Sequence, residues 1–318
     1  MPAEPYLLRL ESRLQRGLAG PHGLSPDRIE RHRSFILKHQ QPDGGFRGRE
    51  GESDLYYSAF AIRALGLLGG LRPEERPLLE EYLRRHDWRK LGVIDLMNWL
   101  TMVVAVQAAG GEDLLADAEE VWLGQMLQSL EALRRPDGGY AKTHEGATGS
   151  TYHSFLVLLT YELLAATPPL PNRLAQFFFN QQRDDGGFVE IAPMRRSGTN
   201  PTAAAVASLT LLGHLSDELS DDVSAFLKDV RSDEGGFQAN TRIPFADSLS
   251  TFTGLLTAQD IGRPGVIDLD RIQEWVTTQL EFPTGGFRAA TWDEQADIEY
   301  SFYALGLLGL LGHSMPPE

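Results

Sequence analysis

Two kinds of apolar pattern alternate along this chain. Six stretches are apolar on nearly every side. They start at Asp54 (DLYYSAFAIRALGLLGG), Asp95 (DLMNWLTMVVAVQAAGG), Ser150 (STYHSFLVLLTYELLAA), Asn200 (NPTAAAVASLTLLG), Asp247 (DSLSTFTGLLTA) and Asp297 (DIEYSFYALGLLGLLG). Between them run segments apolar along one stripe only: Pro26–Gln40, Pro73–Asp87, Leu114–Arg135, Pro171–Gln182, Glu218–Arg231 and Leu269–Leu280. In the first of these, Ile29, His32, Phe35, Ile36 and His39 recur at helical spacing. A helix apolar all round belongs inside a protein and a striped one at its surface, so the alternation predicts six inner helices sheathed by six outer ones. Every apolar stretch opens on Asp, Ser or Asn, whose side chains accept hydrogen bonds from the free N–H groups of a first helical turn. All six are read as N-caps, with Pro201 after Asn200 as a favoured first helical residue. Most of these helices are expected to stop at glycine: Gly69–Gly70, Gly110–Gly111, Gly213 and Gly312.

A second signal punctuates the alternation. PDGGF (Pro42–Phe46), PDGGY (Pro136–Tyr140), DDGGF (Asp184–Phe188), DEGGF (Asp233–Phe237) and PTGGF (Pro283–Phe287) share one loop design. The second glycines of the last four copies lie 48, 49 and 50 residues apart, and the 94 residues from Gly45 to Gly139 leave room for a degenerate copy of which only Gly92 remains. A fixed period of this length means one hairpin stacked on copies of itself. The expected fold is all-α, an (α/α)6 toroid, in one domain spanning 1–318 with repeats from about 26 to 312. Closure would turn all six inner N-termini toward one rim, where their dipoles favour anions unless acids occupy it. The inner wall would carry Tyr56, Tyr57, Phe60, Trp99, Tyr152, His153, Phe155, Phe252, Tyr300 and Tyr303, an aromatic lining suited to a long apolar ligand.

Composition narrows the partners. A net charge of −15 disfavours nucleic acid and anionic membrane surfaces, and no apolar run reaches the roughly 18–20 residues that span a bilayer. The N-terminus MPAEPYLLRLESRLQ lacks a signal-peptide pattern, so a cytoplasmic protein is expected. The chain has no cysteine, which excludes disulfides and thiolate chemistry.

The PDGGF loop, the acid-led helix and the sixfold repetition resemble the prenyltransferase and terpene-cyclase repeat family, most of all the β subunits of protein prenyltransferases of the Rab geranylgeranyl type. The similarity covers roughly Pro26 to Gly312. It implies an isoprenoid ligand and, in the transferase branch, a zinc ion held by an Asp-x-Cys pair and a His on the next inner helix. Asp247 matches the aspartate, but Leu249 stands in the cysteine position and Tyr300 in the histidine position, and neither ligates zinc. Zinc is therefore not expected. For the diphosphate, the family's His position holds Asn200, Asn240 falls near its arginine, and Arg195, Arg196 and Arg242 are the remaining guanidinium groups at that rim. The separate α subunit of such enzymes is a further implied partner.

The cyclase branch protonates an alkene from a D-x-D-D-T motif at this helix start. Asp297-Ile298-Glu299-Tyr300-Ser301 keeps acids at its first and third positions, with Glu299 as donor; the same acids also fit a cap and a dipole partner. His153 suits either a base or a hydrogen-bonded core residue. With Asp54, Asp247, Asp297 and Glu299 it forms a ligand set of the kind Mg²⁺ or Mn²⁺ takes. The acidic runs Glu74–Glu81 and Asp113–Glu120 read as solvated faces. Three functions follow: an isoprenoid-binding, prenyltransferase-like protein without the zinc-thiolate step; an acid catalyst using Asp297 and Glu299; and a non-catalytic interaction toroid.

Overall fold

A computed structural model describes residues 4–20, 23–115 and 121–314. Thirteen α-helices occur among them: α1 (Tyr6–Leu18), α2 (Pro26–Leu37), α3 (Leu55–Leu67), α4 (Arg76–Arg84), α5 (Val93–Ala108), α6 (Trp122–Glu131), α7 (Thr151–Leu163), α8 (Pro171–Phe179), α9 (Thr199–Leu211), α10 (Asp217–Asp229), α11 (Ser248–Asp260), α12 (Leu269–Trp275) and α13 (Ile298–Ser314). The chain divides into two compact units, residues 10–124 with 276–318 and residues 1–9 with 125–275. In the first unit α13 packs on α3 and α3 on α5, with α2 and α4 outside them; in the second α7 packs on α9 and α9 on α11, with α8 and α10 outside. The expected alternation of buried and striped helices is present in both.

The repeated loop works through its two glycines, its aromatic residue and one hydroxyl. The first glycine is left-handed at Gly44, Gly138, Gly186, Gly235 and Gly285, with φ from 83° to 115°, which an L side chain rarely adopts. It also lies against the backbone of the next outer helix: a Cβ on Gly186 would come 2.1 Å from Asp222 O, and one on Gly44 2.0 Å from Leu78 O. The second glycine leaves room for an aromatic ring of that helix: Tyr82 over Gly45, Phe177 over Gly139, Phe226 over Gly187 and Phe35 over Gly286. In the last pair the loop near the C-terminus docks on α2, so within this unit the last repeat packs back onto the first. The loop aromatics Phe46, Tyr140, Phe188, Phe237 and Phe287 are buried, and each donates its backbone N–H to a hydroxyl on the following inner helix: Ser58, Ser154, Thr202, Thr251 and Ser301, at 2.8–3.0 Å.

Several expectations are corrected. Asp54, Ser150 and Asp247 cap their helices by accepting the N–H groups of Tyr57, His153 and Ser250, and Asp297 accepts that of Glu299. Asn200 and Asp95 do not cap: α9 starts at Thr199 behind Gly198, two residues before the expected Pro201, and α5 starts at Val93 behind Gly92. Extended glycine backbone replaces the side-chain cap at both. Gly312 lies inside α13, where a Cβ would meet Gly17 O at 2.3 Å; it serves the close approach of α1 rather than a helix end. Helix α1 had no counterpart in the hydrophobic pattern. The segment Leu269–Leu280 is α12 followed by a π turn, Val276–Leu280. Residues 116–120, shared by the Leu114–Arg135 segment and the second acidic run, lie outside the described residues.

Candidate functional site

The start of α13 gathers two acids that burial raises, Asp297 and Glu299. Asp297 is 3% exposed; its Oδ1 accepts the N–H of Glu299 at 2.9 Å, and burial raises its carboxyl above the ordinary value against the pull of that bond and of Arg49. The cap turns Glu299 toward α3, where the Tyr56 hydroxyl donates to its Oε1 at 2.8 Å. Burial pushes the Glu299 carboxyl up to about 7, the Tyr56 bond lowers it in part, and the charge of Asp297 raises it further. Below these groups runs a ladder of rings. Tyr56 meets Phe60 at 4.9 Å, and Phe60 meets Tyr303 at 5.4 Å and Phe302 at 5.6 Å.

Arg49 belongs to the same site and has no sequence motif to announce it. It lies in the loop before α3, donates to Asp293 Oδ2 at 2.5 Å and to Gln295 O at 2.8 Å, and brings its Nε 3.4 Å from Asp297 Oδ2. Burial raises Asp293, but Arg49 and the N–H groups of Ala289 and Gln295 outweigh it and hold the carboxyl below its ordinary value. The loop before α13 and the start of that helix thus carry two acids with opposite shifts, Asp293 low and Glu299 near neutrality.

The other candidate residues divide. Tyr57 packs its ring over Gly48 and faces the loop. Trp99 is 3% exposed and donates its Nε1–H to Leu83 O on α4, so it faces the outer helix and leaves the expected ligand wall. Tyr300 and Tyr303 are half-buried on α13. In the other unit, Tyr152 is 41% exposed at the head of α7 and Phe252 is buried on α11. His153 Nδ1 lies 2.8 Å from Ser150 Oγ, and burial, then Lys142, lowers its pKa. Ser150 Oγ also donates to Glu190, a carboxyl that burial raises and that the sequence reading did not single out. Asn200 Oδ1 accepts from Thr253 Oγ1 at 2.8 Å. Arg196 donates to Thr241 Oγ1 at 3.0 Å, next to Arg242; Arg195 and Arg242 are exposed.

The zinc donor set does not fit here. The Asp247 carboxylate is engaged by the N–H of Ser250, and burial raises its pKa. Leu249 and Tyr300 supply no ligand of the kind the ion takes. Among the described residues, no three His, Cys, Asp or Glu side chains form a group that could hold a metal ion. No helix among them is long and apolar enough to cross a membrane.

Comparison with known proteins gives a consistent picture. The family model for the prenyltransferase alpha-alpha toroid domain matches residues 25–82 and 80–316. Geranylgeranyl transferase type-2 subunit beta of Candida albicans is 28% identical over 145 residues, 44% of this chain and 41% of that protein. The chain spans half or less of the length of the curated relatives it matches. Protein geranylgeranyltransferase-I of Candida albicans, solved with GGPP, superposes with a TM-score of 0.70 at 15% identity, covering 90% of this chain and 92% of that one. The type II terpene cyclase MstE of Scytonema, solved as its D109A variant with merosterolic acid A, superposes at 0.58 and 16% identity, covering 97% and 99%. These structures share the fold.

Proposed function

This chain belongs to the prenyltransferase alpha-alpha toroid family, and on that footing we propose that it binds an isoprenoid and protonates it through Glu299. The observation that carries the reading is the Glu299 carboxyl itself: half-buried, raised to about 7, and hydrogen-bonded by Tyr56 at the head of an aromatic ladder. An acid with a pKa near the working pH is protonated often enough to donate and strong enough to do so usefully. In the proposed step the carboxyl proton passes to an alkene carbon, the alkene's π pair forms the new C–H bond, and the neighbouring carbon becomes cationic. The faces of Phe60 and Tyr303 stabilise that cation. The Tyr56 hydroxyl and the N-terminal end of α13 stabilise the carboxylate left behind. A later deprotonation returns the proton.

The test is turnover of linear polyprenyl substrates, with products identified by mass spectrometry. Glu299→Gln keeps shape and hydrogen bonding but has no proton to give, so the rate should fall by about 10²-fold or more. An unchanged rate removes Glu299 from the reaction.

Prenyl transfer from a diphosphate is a second reading, favoured by the matched transferase β subunit and by Arg196 and Arg242 flanking Thr241. It would proceed without the zinc-thiolate step and with a separate helical subunit as partner. Two measurements bear on it. Metal analysis of purified protein should show no stoichiometric zinc. Replacing Arg196 and Arg242 by Ala should weaken geranylgeranyl diphosphate binding while sparing geranylgeraniol. If no prenyl compound binds at all, the toroid is an interaction module.

A further inference from the structure

Three acids crowd the head of α13: Asp293, Asp297 and Glu299. Asp293 and Asp297 are 8% and 3% exposed, and Glu299 is half-buried. Carboxylates held this close and this far from water repel one another, so a cation among them helps to keep them together. Arg49 reaches the two buried ones from the loop before α3. Its Nη2 donates to Asp293 Oδ2 at 2.5 Å and to Gln295 O at 2.8 Å, and its Nε lies 3.4 Å from Asp297 Oδ2. The other oxygen of Asp297 accepts the N–H of Glu299 at 2.9 Å, and Glu299 Oε1 accepts the Tyr56 hydroxyl at 2.8 Å. Arg49, Asp297, Glu299 and Tyr56 thus form one connected series, from the loop before α3 across to α13 and back to α3.

Neither Arg49 nor Glu299 belongs to the common design of the repeat. The residue three after the loop aromatic is Arg49 here, and Thr143, Ile191, Asn240 and Ala290 in the other copies of the loop. The second residue of the inner helix is Glu299 here, and Tyr56, Ile94, Tyr152, Asn200 and Leu249 in the others. Asp247 caps α11 by an equivalent bond with no ion pair, so a cap of this kind does not need an arginine. The inner helix that Arg49 reaches is the one whose second residue is an acid.

We infer that Arg49 is a positioning residue of the acid site: through Asp297 it fixes the head of α13 so that the Glu299 carboxyl meets Tyr56. Without the guanidinium, repulsion from Asp297 drives Glu299 away and breaks its bond with the Tyr56 hydroxyl. The inference deepens the protonation reading above and rests on it for its chemistry. Other titratable groups act on the pair and are left unchanged in the test: His39 and Asp293 act on Asp297, and Tyr57 is influenced by both acids.

The experiment is a ¹³C NMR titration of the Glu299 carboxyl in the full chain, with its signal assigned by its absence in Glu299→Gln. Tyr56→Phe removes a donor that favours the carboxylate, so in wild type it should raise the titration midpoint by about half a pH unit or more. In an Arg49→Met background the same change should leave the midpoint where it stands, because Glu299 no longer meets Tyr56 there. Arg49→Lys keeps the charge without the planar fork and should keep part of the effect. An arginine that merely braces the two loops would lower the melting temperature when replaced and leave the Tyr56→Phe effect whole. An equal effect in both backgrounds, or none in wild type, overturns the inference; Arg49→Gln supplies the same comparison if the Met variant does not fold. No substrate enters the measurement, so its failure is distinct from that of the protonation reading. Loss of the Tyr56→Phe effect with Arg49, in a chain that turns over no polyprenyl compound, leaves the positioning role standing and removes the acid catalysis.

Discussion

Glu299 and Glu281 lie in the same unit and are driven in opposite directions by their neighbours. Burial lifts the Glu299 carboxyl to about 7 against an ordinary 4.5; the Tyr56 hydroxyl takes some of that away and the like charge of Asp297 adds to it. A raised acid contributes stability fully below about pH 4.5, and that contribution is lost as the pH rises through about 7. Melting curves of wild type should therefore fall over that window relative to Glu299→Gln; parallel curves would mean that Glu299 titrates normally. Glu281 is half-buried, but it accepts from Arg28 at 2.6 and 3.2 Å and from Arg31 at 3.3 Å, with His32 Nε2 3.3 Å away. Burial is the largest single influence there, yet these partners together hold the carboxyl down at about 2. Its contribution is present above about pH 4.5 and is lost as the pH falls through about 2. Glu281→Gln should cost about 1–2 kcal/mol at neutral pH, since it removes the carboxylate that the half-buried Arg28 and Arg31 donate to, and the deficit should shrink in acid. Urea unfolding at pH 7 and pH 3 measures both. Neither residue's shift was legible in the chain: that of Glu299 comes from burial that only the fold produces, and that of Glu281 from Arg28 and His32, far away in sequence.

At the scale of elements, the loop and the inner helix form one device. Gly186 is left-handed and seated on Asp222 O, so Gly186→Ala meets both backbone strain and a clash with main chain, which cannot rotate away. It should cost about 3 kcal/mol or more, whereas Ala at the exposed Gly51 site meets only the strain. Ser301→Ala leaves the buried N–H of Phe287 without its hydroxyl acceptor and should cost about 1–3 kcal/mol by the same urea assay. Much of this was readable: period and loop follow from residues such as Phe46, Tyr140, Phe188, Phe237 and Phe287 that recur in the same loop, and the alternation from the apolar stretches between them. The hydroxyl pins were also present in the sequence, at Ser58, Ser154, Thr202, Thr251 and Ser301, but a serine inside an apolar run has no meaning until the loop N–H it receives is located. Asp95 and Asn200 misled because capping type alone does not settle which residue leaves the helix; Gly92 and Gly198 do so through extended backbone. Helix α1 escaped because its packing signal is Gly17 against Gly309 and Gly312, a matter of close approach rather than hydrophobic period.

At the scale of the whole molecule, the family assignment and the site make separate claims. The toroid is a fold that hosts more than one chemistry, and the relatives' transferase names do not decide between transfer and protonation. The protonation reading rests on the neutral-range acid at Glu299. The most direct measurement is ligand-induced stabilisation by a polyprenyl alcohol between pH 5 and pH 9, for wild type and Glu299→Gln. The alcohol should raise the melting temperature of both proteins, and in wild type the increment should change with a midpoint near pH 7 that the variant lacks. No increment at any pH, or identical pH profiles for the two proteins, would contradict the protonation reading.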